Sequence, residues 1–331
     1  SLKRLPAISL STKKVKDPGK RLTLLGLGIL LIVVLFFRQQ GGIINWLISW
    51  GIGGRRAAME GYGPILKLFS VAYFVPLAWY LWKGIHVIKN PVWWVFVIIF
   101  LPLGFAATGS RSSVFIAIIG FGIAYLMRNG KIPYLIIVPS AVAGVILLGL
   151  LGQIRSASTY NDGNIDEANT DLSVEGNLSY AREDLDSRSA LGPNIAIFHK
   201  VPDEVPWLYG KTYVGALSFF IPRLIWKEKP HAAGYYTGRD IFDVKYGIPP
   251  SDIAESYWNF GWLGPFIMAS LFGLFLRFIA NMHVVNYSDP SWQTIYIIII
   301  TSALAFSSLA LTTMLQQMVW VIGGLKIIGL R

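Results

Sequence analysis

Four groups of residues in this chain combine types and spacing that could do chemistry. The first is Arg111 in the run Thr108-Gly109-Ser110-Arg111-Ser112-Ser113, where about four residues link two apolar stretches. An arginine pinned at headgroup depth can grip a phosphate or diphosphate in two-pronged fashion; its plainer role is contact with ordinary lipid headgroups. The second is the pair Arg55 and Arg56, followed by Glu60, Gly61, Tyr62 and Gly63. The third is Ile221-Pro222-Arg223-Leu224-Ile225-Trp226-Lys227-Glu228-Lys229-Pro230-His231, with four potential cations in nine positions. Such a cluster can neutralise a diphosphate as negative charge develops on it, and His231 can act as acid or base near neutral pH. The fourth is Ile248-Pro249-Pro250-Ser251-Asp252-Ile253-Ala254-Glu255-Ser256-Tyr257-Trp258-Asn259-Phe260-Gly261. Here Ser251 and Asp252 read as a helix cap, whereas Glu255, held at a membrane rim among aromatic rings, can have its pKa raised and serve as a general base.

Those residues must be carried by membrane-spanning helices. Of the 331 residues, 54% are hydrophobic and only 14% charged, with a mean hydropathy of +0.53, against roughly 25% charged in a soluble domain. Apolar runs of this length match the ~20 residues needed to cross a bilayer. Spans are predicted at about 22–37, 65–82, 92–107, 112–127, 132–152, 261–280, 292–311 and 313–330. The fold expected is all-α, a polytopic helical bundle of about eight spans with a large extracytoplasmic loop containing short amphipathic helices. Residues 1–21 form a basic cytoplasmic segment, 22–152 carry five spans with an outer loop at 38–64, 153–260 form the large loop, and 261–331 carry three more spans. There is no internal repeat and no cysteine.

Charge is segregated along the chain. The loop 153–260 holds 15 of the 18 acidic residues and 10 basic ones, a net of −5, while the remainder is +16. Seven basic residues precede the first span, so by the positive-inside rule that end is cytoplasmic and the long loop is outside. The basic balance is therefore a membrane signature and not a nucleic-acid one. A connection this long is the first place to look for function. Its 156–190 part, rich in Asn, Asp, Ser and Glu, reads as a lid; its 205–230 part and residues 43–50 read as interfacial segments. Asp184-Leu185-Asp186 reads as solvated charge and not a metal site. The patterns of P-loop ATPases, zinc proteases and serine hydrolases are absent.

The stretch from Gly210 to Gly264, with IPRLIWKEKP, YYTGRD and GIPPSDIAESYWNFGWLG, resembles the Wzy-type O-antigen polymerases, also called oligosaccharide repeat unit polymerases. GGIINWLISW, the following RRAAMEGYG and the TGSRSS hairpin look like earlier parts of the same family, so the resemblance covers about 41–311. Family members are usually longer, with more spans ahead of the glycine pair matching Gly41-Gly42; together with the opening Ser1, this raises the expectation that N-terminal spans are missing.

The resemblance implies a membrane glycosyltransferase of the bacterial inner membrane, multi-pass, with its active site facing the periplasm. A glycan on a polyprenyl diphosphate, in the pathway to O-antigen of lipopolysaccharide or a related surface polysaccharide, is transferred to the end sugar of a lipid-linked repeat unit. Donor, acceptor and membrane lipid are the expected partners, a chain-length regulator is a candidate partner, and neither cofactor nor metal is expected. Arg111, Arg223 and Arg55 or Arg56 are assigned to the diphosphate, with Lys227, Lys229 and Arg239 in support. Glu255 or His231 is the base, and Tyr235, Tyr257 and Asn259 are further substrate-binding positions. An O-antigen ligase, a transporter or flippase of lipid-linked glycan, and a non-catalytic assembly partner are the alternatives.

Overall fold

The computed structural model describes residues 17–49, 59, 61–108, 111–130, 191–218, 221, 225–244, 247–304 and 310–330, with isolated positions at 149, 173, 175, 176, 178 and 179. Among them every regular element is helical, as the sequence predicts. The chain divides into two compact units: Ser1–Thr12, Ser189–Trp292 and Ser302–Val319 in one, and Lys13–Arg188, Gln293–Thr301 and Trp320–Arg331 in the other.

The second unit opens with α1, Pro18–Gln39, whose 22 residues span roughly 33 Å at 1.5 Å each. The proline at its first position has no N–H to leave unpaired, and Arg38 in its last turn suits the negative end of the helix dipole. Helix α2, Ile43–Ile48, follows; then α3, Gly63–Val71, and α4, Phe74–Lys83, a nearly continuous pair interrupted at Ala72 and Tyr73. Pro76 accounts for the interruption, since its ring crowds the carbonyl four residues back, at Ala72, and it brings no N–H of its own. Its own carbonyl accepts a buried bond from Trp93 Nε1 at 2.9 Å. Helices α5, Pro91–Thr108, and α6, Arg111–Asn129, complete the run.

An aromatic hub holds these helices together. The Phe36 ring meets those of Trp46, Tyr62 and Phe69 edge-on at 5.1, 5.4 and 5.3 Å, in the geometry ring quadrupoles favour. Trp46, read from sequence as part of an interfacial segment, is instead buried, its indole donating to the Ala106 carbonyl at 3.1 Å. The exposed residues of α2 include Ile43 and Ile44. Gly26 lets α1 approach α5, because a Cβ there would lie 2.5 Å from the Phe96 ring.

The first unit gathers short helices around a small core. These are α7, Leu191–Lys200; α8, Lys211–Leu217; α9, Ala233–Tyr236, continued by a π-turn at Thr237–Ile241; and α10, Asp252–Phe260. Ile197, Val201, Val205, Leu208, Ile241, Ala254, Tyr257 and Trp258 are buried together. Trp207, within the 205–230 segment read from sequence as interfacial, packs against this core. Helix α11, Leu263–Val285, follows, with Leu263, Phe266, Ile267, Leu271 and Leu274 exposed. The last helices, α12, Pro290–Leu304, and α13, Ala310–Ile327, contribute residues to both units.

Three described helices, Pro18–Gln39, Gly63–Lys89 and Leu263–Val285, are long and apolar enough to cross a membrane. The predicted span at 132–152 lies outside the described residues but for position 149, and the predicted lid lies outside them but for five positions.

Candidate functional site

The chemistry-bearing residues that the structure brings together lie on α8, α10 and the segment between them. Helix α10 begins where Ser251 turns the chain: its Oγ accepts from Ala254 N at 3.3 Å, and its own N–H donates to Asn194 Oδ1 of α7 at 2.9 Å. Ser251 is thus the cap, leaving the next polar positions of the helix for other work. The helix ends at Gly261, whose positive φ of 65° and N–H bond to the Tyr257 carbonyl reverse the chain into α11. Gly264 completes the turn, because a Cβ there would fall 2.1 Å from the Ser256 carbonyl oxygen.

Glu255 is 5% exposed, on the inner side of α10. Burial pushes its carboxyl up to about 8; a hydrogen bond with the Thr212 side chain acts the other way, and the Asp252 charge adds to the rise. Thr212 Oγ1 also accepts from Asn259 Nδ2 at 2.8 Å, and the same amide donates to the Glu255 carbonyl at 2.8 Å. Asn259 Oδ1 is buried and accepts nothing among the described residues. The Tyr213 hydroxyl, bonded to Ser256, is held protonated by burial and by the carboxylates at positions 255 and 252. Glu255, Thr212, Asn259, Tyr213 and Ser256 therefore form one polar cluster, immediately before the apolar helix α11. Such a cluster can exchange a proton near neutral pH.

His231 heads a second group. Its ring stacks on Tyr235 with centroids 3.9 Å apart, and its backbone N–H donates to the Tyr236 hydroxyl at 3.3 Å. Beyond Tyr235, the Arg239 guanidinium lies 5.0 Å over that ring and donates to the Tyr235 hydroxyl at 3.3 Å. Arg239 also holds Asp240 through two contacts, at 2.5 and 3.0 Å, so its charge is locally matched. Imidazole and guanidinium thus both contact the Tyr235 ring.

Of the other expected site residues, Lys227 is exposed, and the Lys229 ammonium donates to the Ser218 and Ile221 carbonyls at 2.8 and 3.1 Å. Lys229 therefore ties the basic segment to the end of α8. Tyr257 faces the core, donating to the Val201 carbonyl at 3.0 Å. Arg111 opens α6, but its side chain, like all of Arg55, Arg56 and Arg223, lies outside the described residues. Among the described residues no group of three or more His, Cys, Asp or Glu is arranged to hold a metal.

Sequence reasoning missed Thr212, Tyr213 and Ser256. Asn259 sits one helical turn after Glu255, which the spacing shows, but Thr212 is 43 positions earlier in the chain and no periodicity links the two.

Residues 220–330 match the family model of the O-antigen polysaccharide polymerase Wzy. The likeness to Wzy-type polymerases is thereby shown over that stretch. No curated protein and no solved structure matches the chain. The Wzy match takes in the basic segment, the His231–Tyr235–Arg239 group, α10 and the helices that follow. It supports a function of the O-antigen polymerase type at a membrane. Thr212 and Tyr213 precede the matched residues, and so do the runs containing Arg55, Arg56 and Arg111.

Proposed function

We propose that this protein is a membrane glycosyltransferase that polymerises oligosaccharide repeat units carried on a polyprenyl diphosphate, at the periplasmic face of the bacterial inner membrane. The observation that carries the reading is the Wzy match over 220–330, which encloses a buried carboxyl poised near neutral pH just ahead of an apolar helix.

In the reaction proposed, the acceptor sugar hydroxyl attacks the anomeric carbon of the donor. The new glycosidic C–O bond forms, the bond to the diphosphate breaks, and the lipid diphosphate leaves with that electron pair. The Glu255 carboxylate takes the hydroxyl proton, and Thr212, bonded to it, sets the pH at which it can. His231 is the other candidate base; its stacking on Tyr235 also gives the pair the form of a flat platform for a sugar. Arg223 and Lys227 face the charge growing on the diphosphate and lower the barrier by favouring the transition state over the ground state. Lys229 acts by holding their segment. Arg111 and Arg55 or Arg56 are proposed as further diphosphate ligands on the strength of residue type and sequence position.

The test mixes the purified protein with its lipid diphosphate-linked repeat unit and sizes the products. A ladder that disappears with Arg223→Ala, with folded protein retained, is the expected result. Transfer onto a lipid A core acceptor, without a ladder, would replace polymerase by ligase.

A further inference from the structure

In the second unit, α1, α4 and the 3₁₀ turn Gly84–Lys89 line an open pocket of about 360 Å³. Its polar lining comes from Lys20, Thr23, Lys83, His86 and Asn90, with Trp79 as one wall. No carboxylate lines it, and among the described residues neither Lys20 nor Lys83 pairs with one. Nearby the Arg128 guanidinium packs on the backbone at Gly84. A concave site with two lysines and a histidine, an amide beside them and no balancing acid is built for an anion.

The helix that supplies Lys20 indicates which anion. Lys20, Leu24, Leu27 and Leu31 follow one another at intervals of four, three and four, so they share one face of α1. The three leucines are 68, 50 and 60% exposed. A cation at the head of an uncovered apolar stripe matches a molecule with a charged head and hydrocarbon tails. We propose that this cavity binds the phosphate headgroup of an anionic membrane lipid, whose acyl chains lie along the Leu24–Leu27–Leu31 face. A free phosphate would satisfy the cavity but leave the stripe unused.

The experiment is native mass spectrometry of the protein released from detergent after titration with phosphatidylglycerol, with phosphatidylcholine as the zwitterionic comparison. The protein is expected to retain phosphatidylglycerol in preference. The double variant Lys20→Gln/Lys83→Gln should retain it on the order of ten- to thirty-fold more weakly, since each lysine near an anionic surface contributes modestly. Lys83→Arg, which keeps the charge, should bind as the parent does and guards against a folding artefact. Lys89→Gln, outside the cavity, should leave retention unchanged. Equal retention by the double variant, or equal loss with Lys89→Gln, would overturn the site. Titration with inorganic phosphate separates the sources: millimolar competition lost in the double variant supports phosphate recognition, whereas phosphate bound as tightly as the lipid would overturn the lipid assignment.

Discussion

Thr212 Oγ1 accepts from Asn259 Nδ2 at 2.8 Å, and its hydroxyl is bonded to the Glu255 side chain as well. Two residues 47 positions apart therefore fix the environment of the Glu255 carboxyl, buried on α10 just ahead of the apolar helix α11. The bond from Thr212 favours the ionised carboxylate, opposing a burial that favours the neutral acid. Replacing the hydroxyl by a methyl leaves burial unopposed. Thr212→Val should thus move the basic rise of the polymerisation rate further up in pH, lowering activity at neutral pH while restoring much of it in alkali. An unchanged pH profile would detach Thr212 from the proton transfer.

Glu255 also makes stability depend on pH, in a direction fixed by its burial. Its carboxyl moves from an ordinary 4.5 to about 8 on folding, so between those values the unfolded chain releases a proton that the folded chain keeps. Stability is full below about 4.5 and falls as pH rises toward about 8, by an amount on the order of a few kcal/mol. Asp252 is raised in the same direction. The detergent-solubilised protein should melt at a higher temperature at pH 5 than at pH 8.5. Glu255→Gln should flatten that difference, and a melting temperature that rises with pH would refute the assignment.

Arg111 stands at the first residue of α6. If it grips a phosphate through two parallel N–H donors, a lysine cannot replace it, because an ammonium is a point charge with no fork. Arg111→Lys should lose most of the polymerisation rate with the protein still folded and inserted. Full activity with lysine would make position 111 a generic interface cation.

The sequence carried the fold class through composition, since runs of apolar residues admit only helices across a bilayer. It also carried Glu255 and His231 as individuals, through residue type and their place before an apolar helix. It did not carry their surroundings. Tyr257 read as a substrate contact because it lies beside Glu255, but two positions along a helix turn it to another face, where it donates to Val201. Lys229 read as one of a row of like cations, and only the folded chain shows its ammonium on the Ser218 and Ile221 carbonyls. Trp46 looked like an interface aromatic for a related reason: a tryptophan that packs in a core and one that sits at headgroup depth have the same side chain, and only the folded chain shows this one buried with its N–H on the Ala106 carbonyl.

The two candidate bases can be told apart by conservative substitution. Glu255→Gln keeps size and hydrogen bonding but removes the proton acceptor, and a positioned general base contributes roughly 10²–10⁴ in rate. His231→Phe keeps a flat ring that can stack on Tyr235 but removes the acid–base nitrogen. With Glu255 as base, Glu255→Gln should fall by that factor in kcat, while His231→Phe should mainly raise KM for the acceptor. The reverse pattern would transfer the base role to His231.

Gly264 is the residue on which the geometry of this site most depends without taking part in it. A Cβ at this position would fall 2.1 Å from the Ser256 carbonyl oxygen, so only glycine lets α11 start this close to the end of α10, and Ser256 is the neighbour of Glu255. Gly264→Ala must push backbone against backbone, which no side-chain rotation can relieve, at a cost of about 1–3 kcal/mol. In the middle of the same helix, Gly273 has nothing within 4 Å of its missing Cβ, and there alanine should be neutral or stabilising by up to about 1 kcal/mol. Thermal melts of the two variants should therefore shift in opposite directions or leave Gly273→Ala unmoved, with Gly264→Ala also losing polymerisation as α10 is displaced. Equal melting temperatures for both would mean that the turn between α10 and α11 is looser than drawn, and that Glu255 is not held by it.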